Sequence, residues 1–244
     1  MTKPTIAVVL LTTMAIAGAR SAQAQGASSA ESKGFLNVDL GAQPQQRTLA
    51  TSTSFPLYDE TATVSSSQPV HNGPMFGITG GYRIRPKVAV GVGVTMFNAR
   101  TADSTIVATI PDLVFFNRPK TITQIATGLD HSELGVHLSA VWLHTVSPKI
   151  DMALSAGPSL IRVKQDLTSS VTVTPGTQNI VATQETQTGN ALGFNAGFDG
   201  TYKLAPTFGV GLFVRYAGGK VTLPAVTGLQ VGGLQAGLGV RLHF

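Results

Sequence analysis

His137 and Ser139 have the spacing that nucleophilic catalysis needs on an extended chain. Residues two apart in a β-strand point to the same face, so a histidine base can lie beside a serine hydroxyl. Glu133 lies close to both in the sequence and falls on the same face. The three residues therefore raise the hypothesis of a hydrolase.

The elements that would position these residues are β-strands, and the C-terminal segment shows the pattern most clearly. From Leu234 to Phe244 an apolar residue occupies every second position, with small, polar or charged residues between. Such a strand suits a boundary between lipid and a polar interior. A chain ending there predicts the closing strand of a transmembrane β-barrel, with Phe244 as the lipid-facing aromatic residue recognised during insertion.

The N-terminal residues predict export from the cytoplasm. Lys3 precedes an apolar run, and Ala22-Gln23-Ala24 fits a signal-peptidase site. The sequence is therefore divided into a signal peptide, residues 1–24, and an outer-membrane β-barrel domain, residues 25–244. The absence of cysteine excludes disulfides and thiolate metal sites. No long apolar stretch follows the signal peptide, so we expect the chain to enter a membrane only as a closed barrel.

Alternating segments recur along the remaining chain, and their number is even, as a bacterial barrel requires. The eight segments are 35–41, 76–84, 88–98, 133–144, 150–163, 192–204, 208–216 and 231–244. Tight turns containing proline are predicted at 85–87, 145–149 and 205–206, and long polar loops at 42–75, 99–132, 164–191 and 217–230. This asymmetry predicts an all-β, eight-stranded, antiparallel up-and-down barrel in the bacterial outer membrane, with short periplasmic turns and long extracellular loops.

The polar faces of these segments predict a charge network inside the barrel. Alternation assigns four acidic and four basic residues to the lumen: Asp39, Glu133, Asp151, Asp199, Arg83, Lys203, Arg215 and Arg241. Equal numbers allow the pairing that buried charges require. Position along the strands places Asp39, Glu133 and Arg215 nearer the outer end and the other five nearer the periplasmic turns. Because side chains can fill an eight-stranded barrel, the network predicts a plug rather than an ion pathway.

The closing strand, the strand number and the loop asymmetry resemble the small eight-stranded outer-membrane barrels, the OmpA transmembrane domain and the OmpX-like group. The resemblance covers the whole chain after the signal peptide and implies a structural or surface-interaction role. Some small outer-membrane barrels that deacylate lipid A use a His-x-Ser pair. Here His137 and Ser139 are assigned to the lumen, where an acyl chain from the bilayer would not meet them, and Ala140 follows where those enzymes carry Asn.

The second long loop predicts a hairpin that projects above the membrane. Residues 104–110 and 120–126 have the character of strands, and between them an apolar tip is formed by Leu113, Val114, Phe115 and Phe116. Exposed apolar patches often mark contacts, the alternative being that the tip folds back on the outer rim of the barrel. A further hairpin is predicted over residues 171–181, and protruding sheets offer edges that can pair with other strands.

These patterns favour an outer-membrane barrel with a structural or adhesion-like role that its extracellular loops carry. The two alternatives are a narrow pore for ions or small solutes and an outer-membrane lipid-modifying enzyme. The partners we expect are outer-membrane lipid, the barrel-assembly machinery and an extracellular protein or surface, with the barrel itself a monomer. No run of Lys or Arg indicates nucleic acid, and five scattered histidines without ligand spacing indicate neither a metal nor another cofactor.

Overall fold

The computed structural model describes residues 32–44, 47–100, 103–112, 114–127, 129–174, 179–224 and 226–244, which form strands and turns. The predicted signal peptide lies outside these residues. The twelve strands are β1 (Gly34–Gln43), β2 (Arg47–Leu57), β3 (Glu60–Val70), β4 (Gly73–Arg85), β5 (Val88–Arg100), β6 (Ser104–Ile110), β7 (Lys120–Ala126), β8 (Asp130–Ser147), β9 (Ile150–Thr174), β10 (Asn179–Ala205), β11 (Phe208–Leu223) and β12 (Val226–His243). None of the described segments is a helix long and apolar enough to span a bilayer.

Eight strands close into an antiparallel barrel in the ring order β1-β12-β11-β10-β9-β8-β5-β4, which confirms the predicted fold class. The ring is staggered. Following the paired residues from Val38 through β12, β11 and β10 leads to Ile150 on β9. Following them the other way, through β4, β5 and β8, leads to Leu160 on the same strand. The offset between positions 150 and 160 tilts the strands and sets the narrow bore of the barrel.

Proline begins each of the three short turns at one end of the barrel. The turns are Pro86-Lys87, Pro148-Lys149 and Pro206-Thr207. The fixed φ of proline suits the first position of a turn, and its missing N–H removes a donor that the sheet would need. A register shift at the end of the preceding strand accompanies every turn. The tight turns predicted from the sequence are therefore confirmed.

A separate four-stranded sheet, in the order β2-β3-β6-β7, is formed by segments that connect the barrel strands at the other end. The β6–β7 hairpin confirms the two arms predicted at 104–110 and 120–126. The β2–β3 hairpin was not predicted, because its strands are rich in Ser and Thr and carry little apolar alternation. Pairing of β3 with β6 joins the two hairpins into one sheet.

The prediction that residues 164–191 and 217–230 are long loops is wrong for most of their length. β9 and β10 continue to Thr174 and from Asn179, and β11 and β12 continue to Leu223 and from Val226. The predicted hairpin at 171–181 is thus the end of the β9–β10 pair, and its Pro175-Gly176 turn lies outside the described residues.

A change in the phase of the hydrophobic pattern explains this error. In the part of the barrel nearer the short turns, apolar side chains point outward, as Val210, Leu212 and Val214 do on β11. Nearer the outer end, apolar side chains point inward, as Val221 and Leu223 do, while the outward positions become polar. The inward residues pack into one apolar cluster, which we call the upper core: Val70, Met75, Phe97, Ala99, Ile161, Val163, Ala191, Phe213, Val221, Leu223, Leu229 and Val231.

We expect Gly157→Ala to destabilise the barrel, because β8 and β9 approach closely at this position. A Cβ atom on Gly157 would lie 1.9 Å from the carbonyl oxygen of Leu138, which is backbone and cannot turn away. A forced shift of this kind costs about 1–3 kcal/mol. The midpoint of urea unfolding in lipid vesicles measures the loss. Gly80→Ala is the control, since its Cβ would meet only ordinary contacts at 3.8 Å or more. Equal midpoints for the two variants would contradict this explanation.

Candidate functional site

Arg241 is the central charge of the lumen, and its side chain is 1% exposed. Its Nη1 donates to Asp39 Oδ1 at 2.6 Å and its Nε donates to Asp199 Oδ1 at 3.0 Å, while Nη2 contacts the second oxygen of Asp199. Gly211 and Gly239 leave the space that the guanidinium occupies, because a Cβ on either would fall within 2.7 Å of it. One arginine therefore neutralises carboxylates from two other strands.

The remaining lumenal charges lie on both sides of this centre. Arg215 Nη2 lies 3.8 Å from Asp39 Oδ2, and Lys203 Nζ donates to Asp151 Oδ1 at 3.0 Å nearer the short turns. Asp39 pairs with Gly239, two residues further from the short turns than Arg241, which pairs with Asn37. The long arginine side chain spans this difference in level and reaches the carboxylate of Asp39. Arg83 lies on the lumenal face of β4 near the same end.

A layer of neutral hydrogen bonds lies above the charges and contains the two residues that suggested catalysis. His137 contacts Thr95 Oγ1 through Nε2 and Ser159 Oγ through Nδ1, both at 2.8 Å. Ser139 donates instead to Asn195 Oδ1 at 2.8 Å. His137 and Ser139 are both buried, and each has its own partners. The structure therefore does not bring them together as a base and a nucleophile.

Glu133 belongs to a third layer, whose other members the sequence reasoning missed. It accepts from His131 Nε2 at 2.8 Å and from the backbone N–H of Gly232 at 3.0 Å. Gly232 has φ +79, a conformation that favours glycine and that accompanies this inward donation. Gln165 contacts the other ring nitrogen of His131, and Gln43 donates to Gly232 O at 3.0 Å. These residues continue the inward alternation past the predicted strand ends, which is the signal that could have found them.

Little free volume remains among these layers. One lumenal cavity of about 50 Å³ lies beside Arg215 and His137, and another of about 10 Å³ lies beside Glu133. The first has room for a few water molecules and the second for one at most. The upper core lies above both. Within the described lumen, the side chains of these layers therefore leave small spaces beside Arg215, His137 and Glu133.

A larger cavity of about 740 Å³ opens at the outer end of the barrel wall. Asn98, Ser132 and Lys164 face it from three neighbouring strands. Asp166 lies at its border, where its carboxylate accepts from Thr186 Oγ1 and from the backbone N–H of Asp130. Among the described residues, no group of three or more His, Cys, Asp or Glu side chains is placed to hold a metal ion.

The tip of the β6–β7 hairpin is exposed. Val114, Phe115 and Phe116 are 77%, 57% and 71% exposed, and they do not fold back on the barrel rim; Leu113 lies outside the described residues. Asp112 holds the turn, because its carboxylate accepts from the backbone N–H groups of Val114 and Phe115.

Bonds to Asp112 lower the pKa of its carboxyl group. The main cause is the backbone N–H of Val114, and Lys120 and the N–H of Phe115 contribute. The ion pair between Lys120 Nζ and Asp112 Oδ2 measures 3.0 Å. The charged carboxylate therefore stabilises the turn above its ordinary pKa, and this contribution is lost as the pH falls through the lowered value.

The tip of the β2–β3 hairpin lies beside this turn. Asn117 donates its backbone N–H to Glu60 Oε1 at 3.0 Å, which links the two hairpins. Tyr58 and Asp59 form the two-residue turn of β2–β3 with φ values of +53 and +59, a conformation that is rare for a tyrosine. Tyr58 is more than one-third exposed. We call the exposed set Tyr58, Val114, Phe115 and Phe116 the aromatic tip.

At the opposite end, Phe244 completes the barrel seam. Its backbone N–H donates to Gly34 O at 3.0 Å and its carbonyl accepts from Gly34 N–H at 2.7 Å. The ring of Phe244 is largely exposed on the outer surface, as are Tyr82, Trp142 and Tyr202 near the same end. Amphipathic aromatic rings at this level suit a membrane–water interface. Recognition of Phe244 during insertion remains a prediction.

Comparison with known proteins gives likeness of fold only. No family model and no curated protein matches the chain. The outer membrane protein OprG from Pseudomonas aeruginosa aligns with a TM-score of 0.54 at 12% identity, covering 88% of this chain and 97% of OprG. Neisserial surface protein A aligns with a TM-score of 0.45 at 20% identity, covering 86% and 97%. The attachment invasion locus protein Ail of Yersinia pestis aligns with a TM-score of 0.37 at 14% identity, covering 87% and 99%.

The likeness of fold to OprG agrees with two features of this structure, the closed ring of strands and the apolar outer surface. Exposed apolar residues form a belt around the barrel, as Val90, Val92 and Val94 do on β5. A closed barrel with such a belt satisfies its backbone polar groups within a bilayer. The protein is therefore a small eight-stranded β-barrel of the bacterial outer membrane.

We expect Arg241→Ala to cost on the order of 3–5 kcal/mol in the free energy of unfolding, because Asp39 and Asp199 would stay buried without their partner. Equilibrium unfolding in urea, measured in lipid vesicles, gives the value. The triple variant Arg241→Ala with Asp39→Asn and Asp199→Asn should recover part of the loss, since it removes the unpaired charges. A single variant as stable as the wild type would show that the ion pairs are dispensable.

We also expect the purified protein to show no steady current in planar bilayers. Among the described residues, the cavities beside Arg215 and Glu133 measure about 50 and 10 Å³, and both are too small for a hydrated ion path. Single-channel recording tests this, with a general porin in the same bilayer as the positive control. A large and stable conductance would contradict the plug and favour the pore.

Proposed function

We propose that this protein is an adhesion-like surface barrel whose binding element is the aromatic tip. The observation that supports this proposal is the exposure of large apolar side chains at the tips of two hairpins at the outer end. Tyr58 and Phe116 come from different hairpins, and the bond from Asn117 to Glu60 holds those hairpins together. The exposure of these side chains means that packing among the described residues buries only part of their apolar surface.

The contacts that hold the tip favour binding. A contact surface that is already fixed loses less conformational entropy when it binds than a flexible loop does. Asp112 and Lys120 fix one turn, and Arg118 lies over the ring of Phe115, with the guanidinium carbon 5.7 Å from the ring centroid. The positive φ of Tyr58 adds a strained conformation, and strain of this kind often accompanies functional positions. Aromatic and arginine side chains are also the types that contribute most at protein interfaces.

The lumen supports a structural role for the barrel rather than a transport or catalytic one. Arg241 and its two aspartates act as a plug in this proposal, and the hydrogen bonds of His137 and Ser139 act as packing. The barrel then serves to hold the outer sheet above the membrane in a fixed orientation. The parts that project from the membrane would then determine which partner the protein binds.

We expect Phe115→Ser with Phe116→Ser to reduce attachment at least tenfold when the protein is displayed on bacteria that otherwise lack it. Burying a phenylalanine side chain contributes about 1.5–3 kcal/mol, and about 1.4 kcal/mol corresponds to a tenfold change in affinity. The probes are epithelial cell monolayers and surfaces coated with fibronectin, laminin or collagen, and bound bacteria are counted.

The matched control is Phe115→Leu with Phe116→Leu, which keeps the tip apolar and should retain most of the attachment. Heat-modifiable mobility in gels shows that each variant still folds as a barrel. Attachment of the serine variant at the wild-type level would refute the aromatic tip as the binding element. Wild-type attachment no greater than that of cells without the protein would refute the adhesive role itself.

A further inference from the structure

Among the described residues, acidic and basic side chains are equal in number everywhere except at the end with the short turns. The predicted lumenal set contains four acidic and four basic residues. The outer segments, 44–74, 98–132, 162–192 and 217–232, contain seven acidic and seven basic residues. What remains among the described residues is a group of four basic side chains at the end with the short turns: Lys33, Arg85, Lys87 and Lys149. We call these four residues the basic rim.

The backbone holds three of these residues at equivalent places. Each lysine immediately precedes a strand that rises from the short-turn end, and its carbonyl accepts an N–H from a neighbouring strand. The donor to Lys33 is Arg83 at 2.7 Å, the donor to Lys87 is Leu143 at 2.8 Å, and the donor to Lys149 is Lys203 at 2.8 Å. The rising strands β1, β5, β9 and β11 alternate with descending ones around the ring, so the lysines are spread around it. Before β11, the fourth rising strand, the equivalent position is occupied by Thr207, whose carbonyl accepts from the N–H of His243.

The basic rim lies at the level where lipid gives way to water. Ile84 is exposed on the outer face and directly precedes Arg85, and Val146 is exposed three residues before Lys149. Trp142, also exposed, pairs with Val88 next to Lys87. Lysine and arginine at the ends of membrane segments extend their charged groups into the headgroup layer.

The four side chains have no acidic side chain as a partner within the described residues. Throughout the part of the chain that the structure describes, none of them forms an ion pair or a side-chain hydrogen bond. The one acidic residue described nearby, Asp151, bonds to Lys203. Cations fixed in the headgroup layer without counter-charges attract anionic headgroups.

We propose that the basic rim is a binding site for anionic phospholipid headgroups, such as phosphatidylglycerol, in the periplasmic leaflet of the outer membrane. The phosphate supplies the negative charge and acceptor oxygens that the lysine and arginine donors lack within the protein. The acyl chains of the same lipid would lie along the apolar belt. This site is independent of the aromatic tip, so either proposal can fail without the other.

The single tryptophan of the chain provides a local test, because Trp142 faces lipid beside Lys87. The full-length protein is reconstituted in phosphatidylcholine vesicles that contain a fixed minority of brominated lipid, which quenches nearby tryptophan fluorescence. We expect brominated phosphatidylglycerol to quench Trp142 several-fold more effectively than brominated phosphatidylcholine at the same fraction. The excess should fall as salt is added, because ions screen the attraction.

Arg85→Gln with Lys87→Gln should remove the excess quenching and leave quenching by phosphatidylcholine unchanged. The matched control, Arg162→Gln with Lys164→Gln, changes the same number of charges at the outer end and should keep the excess. Equal quenching by the two lipids in the wild type would overturn the proposal, as would an excess that survives in the rim variant or disappears equally in the control. Displacement of phosphatidylglycerol by soluble peptidoglycan stem peptides would also overturn it, in favour of a cell-wall contact.

Discussion

Closure of the ring is the constraint on which the rest of this structure depends. The hydrocarbon core of a membrane offers no water to the backbone, so every strand in it must pair on both sides. β1 meets this requirement by pairing with β4 and with β12, which joins the two ends of the domain. The resulting ring of eight strands is narrow, and its interior is a space for side chains. Both of our proposals therefore concern the two ends of the barrel.

The narrow interior in turn dictates how the lumenal residues are combined. Charges without access to water need partners, and Arg241 satisfies two aspartates at once. Uncharged groups above them form their own hydrogen bonds, and the upper core excludes water from the top of the barrel. With distance from the short turns, the ion pairs of Arg241 give way to neutral hydrogen bonds, and these to Glu133 and the apolar side chains of the upper core.

The two-residue period of the strands allowed most of the barrel to be predicted. Alternation identified the eight segments, the short turns and the lumenal faces, because lipid on one side and a polar interior on the other make the period strong. It failed where that contrast reverses, as at Val221, where apolar residues turn inward. It also could not show that Glu133 accepts from His131, since pairing depends on how far side chains reach across the ring. Tyr58 escaped notice because a β-turn with positive φ at a tyrosine contradicts ordinary turn preferences.

The position of Arg241 in the chain has a consequence for how the barrel is built. This residue lies on the last strand, and the aspartate that it contacts on the first strand is 202 residues away. Asp199 can meet Arg241 within the β10-β11-β12 part of the sheet, whereas Asp39 meets it only where β1 pairs with β12. The contact between Asp39 and Arg241 therefore forms only in a closed ring. An incomplete barrel lacks this ion pair, so the pair stabilises the closed form selectively.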